Sequence, residues 1–371
     1  MQLLLALSCV VLLSTLVRLE VSWDGADSVA ASAPKADLTA PGPVLVSYSY
    51  FEKDDIQRAN LEFFLAVGMG ISSGFQIPEA TDFVLVVSGE VCSPCQPMKP
   101  HLRPDAVASK MPGLRGGWSG EGLALLLRKE NEGMDFAAHN VTLDWAQRKR
   151  VVRRYRYFMF LNSSVRGPFY PSYQPAGWSW PRAFTDRLSA DVKVVASSIV
   201  CLPEVDAGGF GPKVESWAFA LDAKGLDLLM NAGVFHLRTC KLCDDGIVVK
   251  GEYGLSETLL GAGYNLATLM ARYAPDTDWR EKRHWHCNNN AHPSRHGTYD
   301  NISMHPFETV FIKASWHVGE PHLSHYSSWF LGRADGAANT GGTFDERMYR
   351  YAIQPQAQEP NNAAECFKVA A

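Results

Sequence analysis

Short apolar runs recur along the chain, and each ends at polar or turn-forming residues. The runs lie at residues 44–48, 83–87, 123–127, 157–161, 192–200 and 309–313. Runs that are apolar at nearly every position, without alternation, are typical of strands buried on both faces of a sheet. Helices that separate such strands allow them to run side by side in parallel. The pattern therefore predicts an α/β fold with a mainly parallel sheet and flanking helices.

Helical signals fall between several of these runs. Asp54 or Asp55 is placed to cap the first helix. Helical spacing also marks residues 141–150, 221–232 and 255–270, of which the last gives the clearest pattern. Proline and glycine are dense between residues 92 and 122, which predicts an extended loop there.

The two ends of the chain depart from this globular pattern. Residues 3–17 are mostly apolar but too few for an ordinary membrane span of about twenty residues. We expect a signal peptide or signal-anchor over 1–20, a flexible stem over 21–43, an ordered domain over 44–333 and a poorly ordered tail over 334–371. Such a leader predicts entry into the secretory pathway, with membrane attachment if it stays uncleaved. Glycosylation sequons at Asn140 and Asn301 suit that compartment.

Composition and cysteine spacing further restrict the class of protein. The 371 residues are 46% hydrophobic with a net charge of −4, which is ordinary for a globular protein and argues against a nucleic-acid partner. The CxxC pairs that begin at Cys92 and Cys240 are too far apart for a zinc ribbon. Disulfides are therefore favoured over zinc, and Cys366 is the expected free thiol.

Polar residues that follow two of the apolar runs are candidates for chemistry. After the run at 123–127, Asn131 and Asp135 flank Gly133 and could recognise a base or a ribose. The same residue types also form simple Asx-type turns ahead of a helix.

The run at 157–161 ends in a second polar segment. Asn162, Ser163 and Ser164, with backbone N–H groups, could bind phosphate oxygens or form only a capped turn. Arg166, just beyond, is suited to grip a phosphate.

Three further segments have open interpretations. Glu252 is either a helix cap, favoured by the helix dipole, or a general base in a cleft. Trp178 and Trp180 could stack on the sugar rings of an acceptor or anchor a loop by burial. The His, Cys and Asn residues of 284–296 are either metal ligands or belong to an active-site rim or a solvated loop.

Taken in order, these segments resemble glycosyltransferases of the GT-A type, and most of all the rhamnan-synthesis-type relatives of bacteria, algae and plants. The resemblance spans residues 44–313 and depends on the order and spacing of short segments. It implies a single catalytic domain with a Rossmann-like sheet that binds a nucleotide sugar at its strand ends. It also implies transfer of a hexosyl or deoxyhexosyl group to a glycan or glycoconjugate hydroxyl, with inversion, in the Golgi lumen.

The resemblance also suggests roles on the nucleotide side of the site. The segment VLVSYSYFE is similar to the opening strand of the family, which implies that Tyr48 or Tyr50 lies near the nucleotide. The segment RKENEGMDF is similar to the turn on the nucleoside side, which implies contacts from Asn131, Gly133 and Asp135.

On the acceptor side, the segment ESWAFALDAKGLDLL resembles the family's acceptor-binding stretch and implies that Ser216 and Trp217 lie at its mouth. The segment GEYGLSETLLGAGYN resembles the start of the helix that supplies the general base. Its spacing gives that position to Glu252.

One departure from the family concerns the metal. The segment FMFLNSSVRGPF resembles the strand that ends in an acidic DxD-like pair, but Asn162, Ser163 and Ser164 stand there. Three neutral side chains cannot hold Mn²⁺ or Mg²⁺ as carboxylates do. Either cations such as Arg166 stabilise the leaving diphosphate, or a metal binds elsewhere, or catalysis is lost. The last case would leave a glycan- or nucleotide-binding protein of the same fold, and a secreted metal-dependent hydrolase using residues 284–296 is a further alternative.

Overall fold

The computed structural model describes residues 43–70, 80–171, 174, 178–300 and 302–314, together with 323, 324, 326–328, 330 and 331. The leader, nearly all of the stem, the tail, the sequon at Asn301 and the thiol of Cys366 lie outside the described residues, so expectations about them stay predictions. The described residues belong to one compact unit. None of their helices is both long enough and apolar enough to span a membrane.

The strands supply the frame of the molecule. They are β1 (Val44–Phe51), β2 (Thr81–Ser88), β3 (Arg103–Pro104), β4 (Leu114–Gly120), β5 (Leu123–Arg128), β6 (Tyr157–Asn162), β7 (Val165–Arg166), β8 (Val192–Ala196), β9 (Ile199–Leu202), β10 (Gly211–Val214), β11 (Ala218–Asp222), β12 (Asn265–Thr268), β13 (Thr298–Tyr299), β14 (Ile302–Ser303) and β15 (Ile312–Lys313). Three two-stranded pairs, β9 with β10, β13 with β14 and β7 with β15, stand outside the main sheet.

The main sheet has nine strands in the order β12-β8-β11-β6-β1-β2-β5-β4-β3. The pairings give all strands except β4 and β11 the same direction. The predicted fold class, an α/β domain with a Rossmann-like, mainly parallel sheet, is confirmed.

Helices cover this sheet. They are α1 (Asp55–Phe63), α2 (Met134–Arg148), α3 (Arg182–Thr185), α4 (Ala223–Asn231), α5 (Gly254–Gly261), α6 (Pro293–His296) and α7 (Pro306–Thr309). Two π-helices, Phe64–Gly68 and Ile247–Tyr253, adjoin α1 and α5, and short 3-10 helices occupy Ser93–His101, Ala108–Lys110, Val152–Arg154, Lys282–His284 and Cys287–Asn290.

The absence of alternation in the strands is explained by burial on both faces. Val84 of β2 packs with Phe136 of α2 in the core on one face. Phe83, the preceding residue, packs with Leu61 of α1 on the other. Because each of these side chains is at most 2% exposed, each stabilises the fold by about 1.5–3 kcal/mol.

The start of α1 is the predicted one. Asp54 caps it, because its side chain accepts a hydrogen bond from the Ile56 N–H at 2.9 Å. The Gln57 side chain returns the interaction by accepting from the Asp54 N–H at 3.0 Å. This reciprocal capping box satisfies two backbone donors that a helix start otherwise leaves unpaired.

The extended loop expected over residues 92–122 is wrong. The segment holds the 3-10 helix Ser93–His101 and the strands β3 and β4, which extend the sheet past β5. The glycines of β4 serve close packing: a Cβ on Gly117 would lie 2.9 Å from a methyl of Leu126 and 2.4 Å from the Cβ of Ala108. Glycine density here marks a tight sheet edge, which the sequence pattern does not distinguish from a loop.

Two further element boundaries differ from expectation. The helix expected over 255–270 ends at Gly261, and β12 starts at Asn265, because Gly263 turns the chain at a φ of +86°. The strand expected over 192–200 is divided into β8 and β9 at Ser197, whose hydroxyl donates to the Thr309 carbonyl at 2.8 Å. In both cases the apolar pattern continues across the boundary between two elements, so the pattern alone does not reveal that boundary.

Other boundaries shift by smaller amounts. The helix expected over 141–150 begins earlier, at Met134, and the one expected over 221–232 begins at Ala223 behind its cap Asp222. The late strand expected over 309–313 is only β15, since Thr309 ends α7.

Disulfides join six of the described cysteines, as predicted. The bonds are Cys92–Cys95, Cys201–Cys287 and Cys240–Cys243. The bond between Cys201 and Cys287 ties β9 to a 3-10 helix that is distant in sequence, whereas the other two bonds each close a CxxC turn.

Candidate functional site

Several predicted site residues meet at the edge of the sheet beyond β6. Because β11 runs antiparallel to β6, Ala218 stands opposite Leu161. Ser216 and Trp217, which precede Ala218, therefore lie at the carboxyl end of β6. The Asn162 N–H donates to the Trp217 carbonyl at 3.2 Å and fixes this arrangement.

A cavity of about 450 Å³ lies at this edge, with Ser216, Trp217 and Glu252 in its walls. Its other ionisable side chains are Asp206, Glu215, Lys241, Tyr253, His292, Arg295 and Lys313. Convergence of acids and cations in a cleft is typical of sites that bind charged ligands or move protons. We call this space the Glu252 cavity.

Glu252 does not cap the following helix. It stands in the π-helix Ile247–Tyr253, and the cap position of α5 is Tyr253, whose side chain makes no capping hydrogen bond. Glu257 lies in the first turn of α5, half exposed and 3.5 Å from Lys213. The capping interpretation of Glu252 is therefore not what the structure shows.

The surroundings of Glu252 change its acidity. Burial raises the pKa of this carboxyl from 4.5 to about 7, and the negative charges of Asp135 and Glu215 act in the same direction. Lys313 and Lys241 act against them. A carboxyl with such a pKa exchanges protons near neutral pH, which is the property a general base or acid needs.

Glu215, a buried carboxyl in the same cavity, has the opposite character. Ser198 and Ser294 donate to it at 2.6 Å and 2.5 Å, and Nδ1 of His292 lies 3.2 Å from it. Burial works to raise the pKa of Glu215, but these partners, His292 foremost, hold it below its usual value. Two carboxyls in one cavity whose pKa values are shifted in opposite directions are suited to different roles, one as a fixed charge and one as a proton acceptor.

Asp135 and Asn162, both predicted as nucleotide contacts, lie together. The Asn162 side-chain nitrogen donates to the Asp135 carboxylate at 2.7 Å. The Ser164 N–H donates to the Asn162 side-chain oxygen at 3.1 Å, which fixes the orientation of that amide. Asp135 also influences Glu252 electrostatically, so the strand end and the Glu252 cavity form one region.

The turn before α2 places Asp135. Gly133 adopts a φ of +70°, and a Cβ there would lie 2.6 Å from the Cβ of Ala137. Only glycine fits that position without strain. The Asn131 carbonyl accepts from the Met134 N–H at 3.2 Å and closes the turn. The backbone of Asn131 therefore has a structural role, whether or not its side chain contacts a ligand.

Arg166 and Ser163 lie on the opposite side of the strand end. The Arg166 Nε donates to the Asn60 side chain at 2.9 Å, and Asn60 in turn donates to the Ser163 carbonyl at 2.9 Å. Arg166 is only 3% exposed, and it is not among the described residues that line the Glu252 cavity. The structure does not bring Arg166 and Glu252 into one cavity.

The two tyrosines of β1 are buried away from this cavity. Tyr48 is 1% exposed, packs on Phe64 with ring centroids 4.7 Å apart, and has a pKa raised by burial. The Tyr50 hydroxyl donates to Glu52 at 2.8 Å, and Glu52 also accepts from the Ser93 N–H at 2.8 Å.

The four predicted acceptor contacts separate into two pairs. Ser216 and Trp217 line the Glu252 cavity. Trp180 is 2% exposed and its indole N–H donates to the Gly68 carbonyl at 2.9 Å, as expected for a loop anchor. Trp178 is partly buried against Tyr170. Only the first pair is near Glu252.

The histidine-rich segment is divided among several partners. His292 contacts Glu215, the His286 ring packs on Phe210, and His284 packs on Trp279. Among the residues that the structure describes, no three His, Cys, Asp or Glu side chains are grouped as a metal ion requires.

A larger cavity, of about 740 Å³, lies between the segment 92–122 and the sheet edge. Its walls are mostly apolar, with Val87, Leu125 and Trp118 among them. The described residues of its walls include none of the predicted site residues and no carboxyl pair like Glu215 and Glu252. We therefore place the candidate site in the smaller cavity.

Sequence reasoning missed Glu215, Lys241 and Lys313. Glu215 directly precedes the predicted Ser216 and Trp217, so its position offered a signal. Lys313 ends the last apolar run, where polar residues had already been treated as candidates elsewhere. Lys241 lies inside a CxxC turn and offered no comparable signal.

No protein-family model matches the chain, and no curated protein sequence does. Among solved structures, it is similar to the mannosyltransferase PcManGT from Pyrobaculum calidifontis in complex with GDP-Man and Mn²⁺, with 13% identity, 85% of this chain and 80% of that chain covered, and a TM-score of 0.35. It is also similar to a glycosyltransferase involved in the glycosylation of the major capsid of PBCV-1. The identity is 11%, the match covers 52% of this chain and 65% of that chain, and the TM-score is 0.26. Because both TM-scores and both identities are low, we base no argument on either likeness.

Proposed function

We propose that this protein is a glycosyltransferase. It moves a sugar, of the hexosyl or deoxyhexosyl class, from a nucleotide-sugar donor to a glycan or glycoconjugate hydroxyl, and it inverts the anomeric centre. The observation that carries this proposal is the position of the Glu252 carboxyl, which lines a cavity at the carboxyl edge of a Rossmann-like sheet and is partly buried there. Its raised pKa, about 7, agrees with that position. In open α/β sheets, ligands bind in the crevice beyond the carboxyl ends of the strands.

In the proposed reaction Glu252 is the general base. The acceptor hydroxyl oxygen attacks the anomeric carbon from the face opposite the leaving group, and its proton passes to the Glu252 carboxylate. The bond between that carbon and the diphosphate oxygen breaks, and its electron pair leaves with the nucleoside diphosphate. Glu215, held charged by its three partners, keeps Glu252 basic enough to take the proton.

Contacts to the two substrates are assigned from the geometry together with the sequence resemblance. Asp135 and Asn162 form the donor side, since they lie at the strand end beside the cavity. Ser216 and Trp217 form the acceptor side of the Glu252 cavity. The Golgi lumen is the proposed location, on the strength of the apolar leader in the sequence.

Replacement of Glu252 tests the proposal directly. We expect Glu252→Gln to lower the turnover of sugar transfer by about 10²–10⁴-fold, the usual contribution of a general base. Donor affinity should change little, because the amide keeps the size of the carboxyl. Transfer is followed by release of nucleoside diphosphate, and Glu257→Gln, an exposed carboxyl in the next helix, is the matched control. Unchanged turnover in Glu252→Gln would contradict the assignment.

A catalytically degenerate glycan- or nucleotide-binding protein of the same fold is the second candidate. The neutral residues Asn162, Ser163 and Ser164 at the end of β6 favour it, since a carboxylate pair was expected there. Donor-dependent sugar transfer by the purified protein would exclude this candidate, whereas donor binding without any transfer would support it.

A further inference from the structure

The three disulfides that the structure describes differ in their access to solvent. In the long-range bond, Cys201 is fully buried and Cys287 is 8% exposed. Cys95, one end of the first CxxC bond, is 4% exposed. Cys240 and Cys243, in contrast, are both exposed. Because a thiolate must reach a sulfur atom to exchange with a disulfide, the bond between Cys240 and Cys243 is the one most open to exchange.

A hydrogen bond within the turn that this disulfide closes also favours exchange. The Cys243 N–H donates to the Cys240 sulfur at 3.2 Å. Such a hydrogen bond stabilises the thiolate form of that sulfur, and a better stabilised thiolate leaves a disulfide faster. An attacking thiolate is therefore directed to the Cys243 sulfur, with Cys240 as the leaving thiolate.

The same turn holds the start of the π-helix that contains the proposed base. The Cys240 carbonyl accepts from the Ile247 N–H at 3.0 Å. The Lys241 carbonyl accepts from the Val248 N–H at 3.0 Å. Both donors belong to the first turn of the helix, where backbone N–H groups find no partner inside the helix. A Cβ on Gly246 would lie 2.7–2.9 Å from three carbonyl oxygens of the turn, so the turn packs directly against the residue that precedes the helix.

The turn also forms part of the wall of the Glu252 cavity. Lys241 and Leu242, the two residues between the cysteines, both line that cavity. Lys241 acts electrostatically on Glu252 as well. The disulfide therefore constrains two features of the site, a stretch of the cavity wall and the start of the helix that positions Glu252.

We propose that the disulfide between Cys240 and Cys243 is a thiol–disulfide exchange site, and that its reduction by a dithiol lowers sugar transfer. Once the bond is open, the turn loses the constraint that holds its carbonyls on the Ile247 and Val248 N–H groups. The position of Glu252 then becomes less well defined. The effect on transfer rests on the proposed function, whereas the exchange itself does not.

Reduction proceeds in two exchange steps. One thiolate of the dithiol attacks the Cys243 sulfur, the bond to Cys240 breaks, and its electron pair leaves with the Cys240 thiolate. The second sulfur of the dithiol, as its thiolate, then attacks the first in the mixed disulfide and releases Cys243 as a thiolate. Two electrons pass to the protein, the two thiol protons pass through solvent to the cysteines, and the dithiol becomes a disulfide.

The rate at which each disulfide is reduced tests the exchange site. Full-length oxidised protein is treated with dithiothreitol without denaturant, samples are quenched with acid and alkylated, and mass spectrometry of peptides follows each bond. We expect the bond between Cys240 and Cys243 to be reduced at least about tenfold faster than the other two. The bond between Cys92 and Cys95 is the matched comparison, since it also closes a CxxC turn but has one buried end. Equal or slower reduction of the Cys240–Cys243 bond would overturn the proposal.

Amide hydrogen exchange tests the link between the turn and the π-helix. On reduction, the two backbone N–H groups that donate to the turn should exchange at least about tenfold faster, because their acceptors lie in the released segment. The double variant Cys240→Ser, Cys243→Ser should show the same increase without reductant. The double variant Cys92→Ser, Cys95→Ser is the matched control and should leave these two amides unchanged. If neither reduction nor the first variant speeds their exchange, the turn does not depend on its disulfide and the proposal fails.

Sugar transfer before and after reduction tests the functional consequence. Oxidised, reduced and reoxidised protein are compared by release of nucleoside diphosphate. We expect reduction to lower turnover by about tenfold or more, since small displacements of a reacting group are costly, and reoxidation to restore it. The variant Cys240→Ser, Cys243→Ser should match the reduced protein and should not respond to dithiothreitol. Equal turnover in the oxidised and reduced protein would overturn the proposal. Absence of transfer by the oxidised protein would instead contradict the proposed function, and the reduction rates would still decide the exchange site.

Discussion

Replacing Glu252 with glutamine should make the folded protein more stable at alkaline pH while removing its activity. Burial raises the pKa of Glu252 from 4.5 to about 7, a difference of roughly 2.5 pH units. At about 1.4 kcal/mol per pH unit, holding this carboxylate charged in the folded state costs about 3 kcal/mol. Asp135 and Glu215 add to this cost, and Lys313 and Lys241 reduce it.

The direction of the pH dependence follows from proton binding. Between pH 4.5 and about 7 the unfolded chain has released this proton and the folded protein still holds it. Stability from this group therefore falls as the pH rises through that window, and the whole cost is present above it. Glutamine carries no charge, so Glu252→Gln should gain close to nothing near pH 4.5 and about 3 kcal/mol at about pH 8, or roughly 5 °C in Tm.

Urea unfolding of the wild type and Glu252→Gln at about pH 5 and about pH 8 measures this gain. Glu257→Gln serves as the control, since Glu257 is half exposed and makes only a 3.5 Å contact with Lys213; it should show no comparable pH-dependent gain. If Glu252→Gln is no more stable than the wild type at pH 8, or if Glu257→Gln gains as much, the carboxyl is not desolvated as argued.

Three further outcomes are expected. The kcat/KM of transfer should rise with pH around an apparent pKa near 7, because Glu252, as the proposed base, would act when ionised. Asp135→Asn removes a like charge and should move that rise to lower pH; a profile that stays in place in the variant would contradict the coupling. Cys201→Ser should lower the free energy of unfolding by about 4 kcal/mol, because the bond to Cys287 closes a long loop of sequence separation 86, and denaturant titration without reductant checks this; a loss under 1 kcal/mol would count against it. Gly133→Ala should cost at least about 1 kcal/mol, owing to the left-handed backbone and the close contact described above, and thermal unfolding that matches the wild type would refute it.

The parts of the fold that the sequence predicts are those encoded locally. The strands near residues 44, 83, 123 and 157 are confirmed because a strand buried on both faces needs an uninterrupted apolar run, and few other elements do. The capping role of Asp54 is confirmed for a similar reason, since its hydrogen bonds involve only Ile56 and Gln57.

Element boundaries that depend on contacts between residues distant in sequence could not be predicted from the apolar pattern. Leu266 continues the helical spacing of α5, yet it pairs with Val194 in the sheet. Gly117 of β4 is needed because Ala108 and Leu126 pack against it. Neither contact can be recognised from the residues next to it in the sequence.

The candidate site divides in the same way. Glu252, Asp135 and Asn162 are suggested by their own segments, and the structure brings these segments together. Lys313 joins them only through the pairing of β15 with β7, which no local pattern predicts. Arg166, suggested by its position after a strand, is instead fixed by Asn60 in a buried setting.

The π-helix Ile247–Tyr253 makes the site sensitive to chain length. A π-helix carries one more residue per hydrogen-bonded turn than an α-helix does. Deleting one residue ahead of Glu252 would allow the segment to close as an ordinary α-helix and would rotate Glu252 by about 100° around the axis. The proposed base would then face away from the cavity although every cavity-lining side chain was still encoded. A single-codon deletion in this segment would thus separate donor binding from sugar transfer.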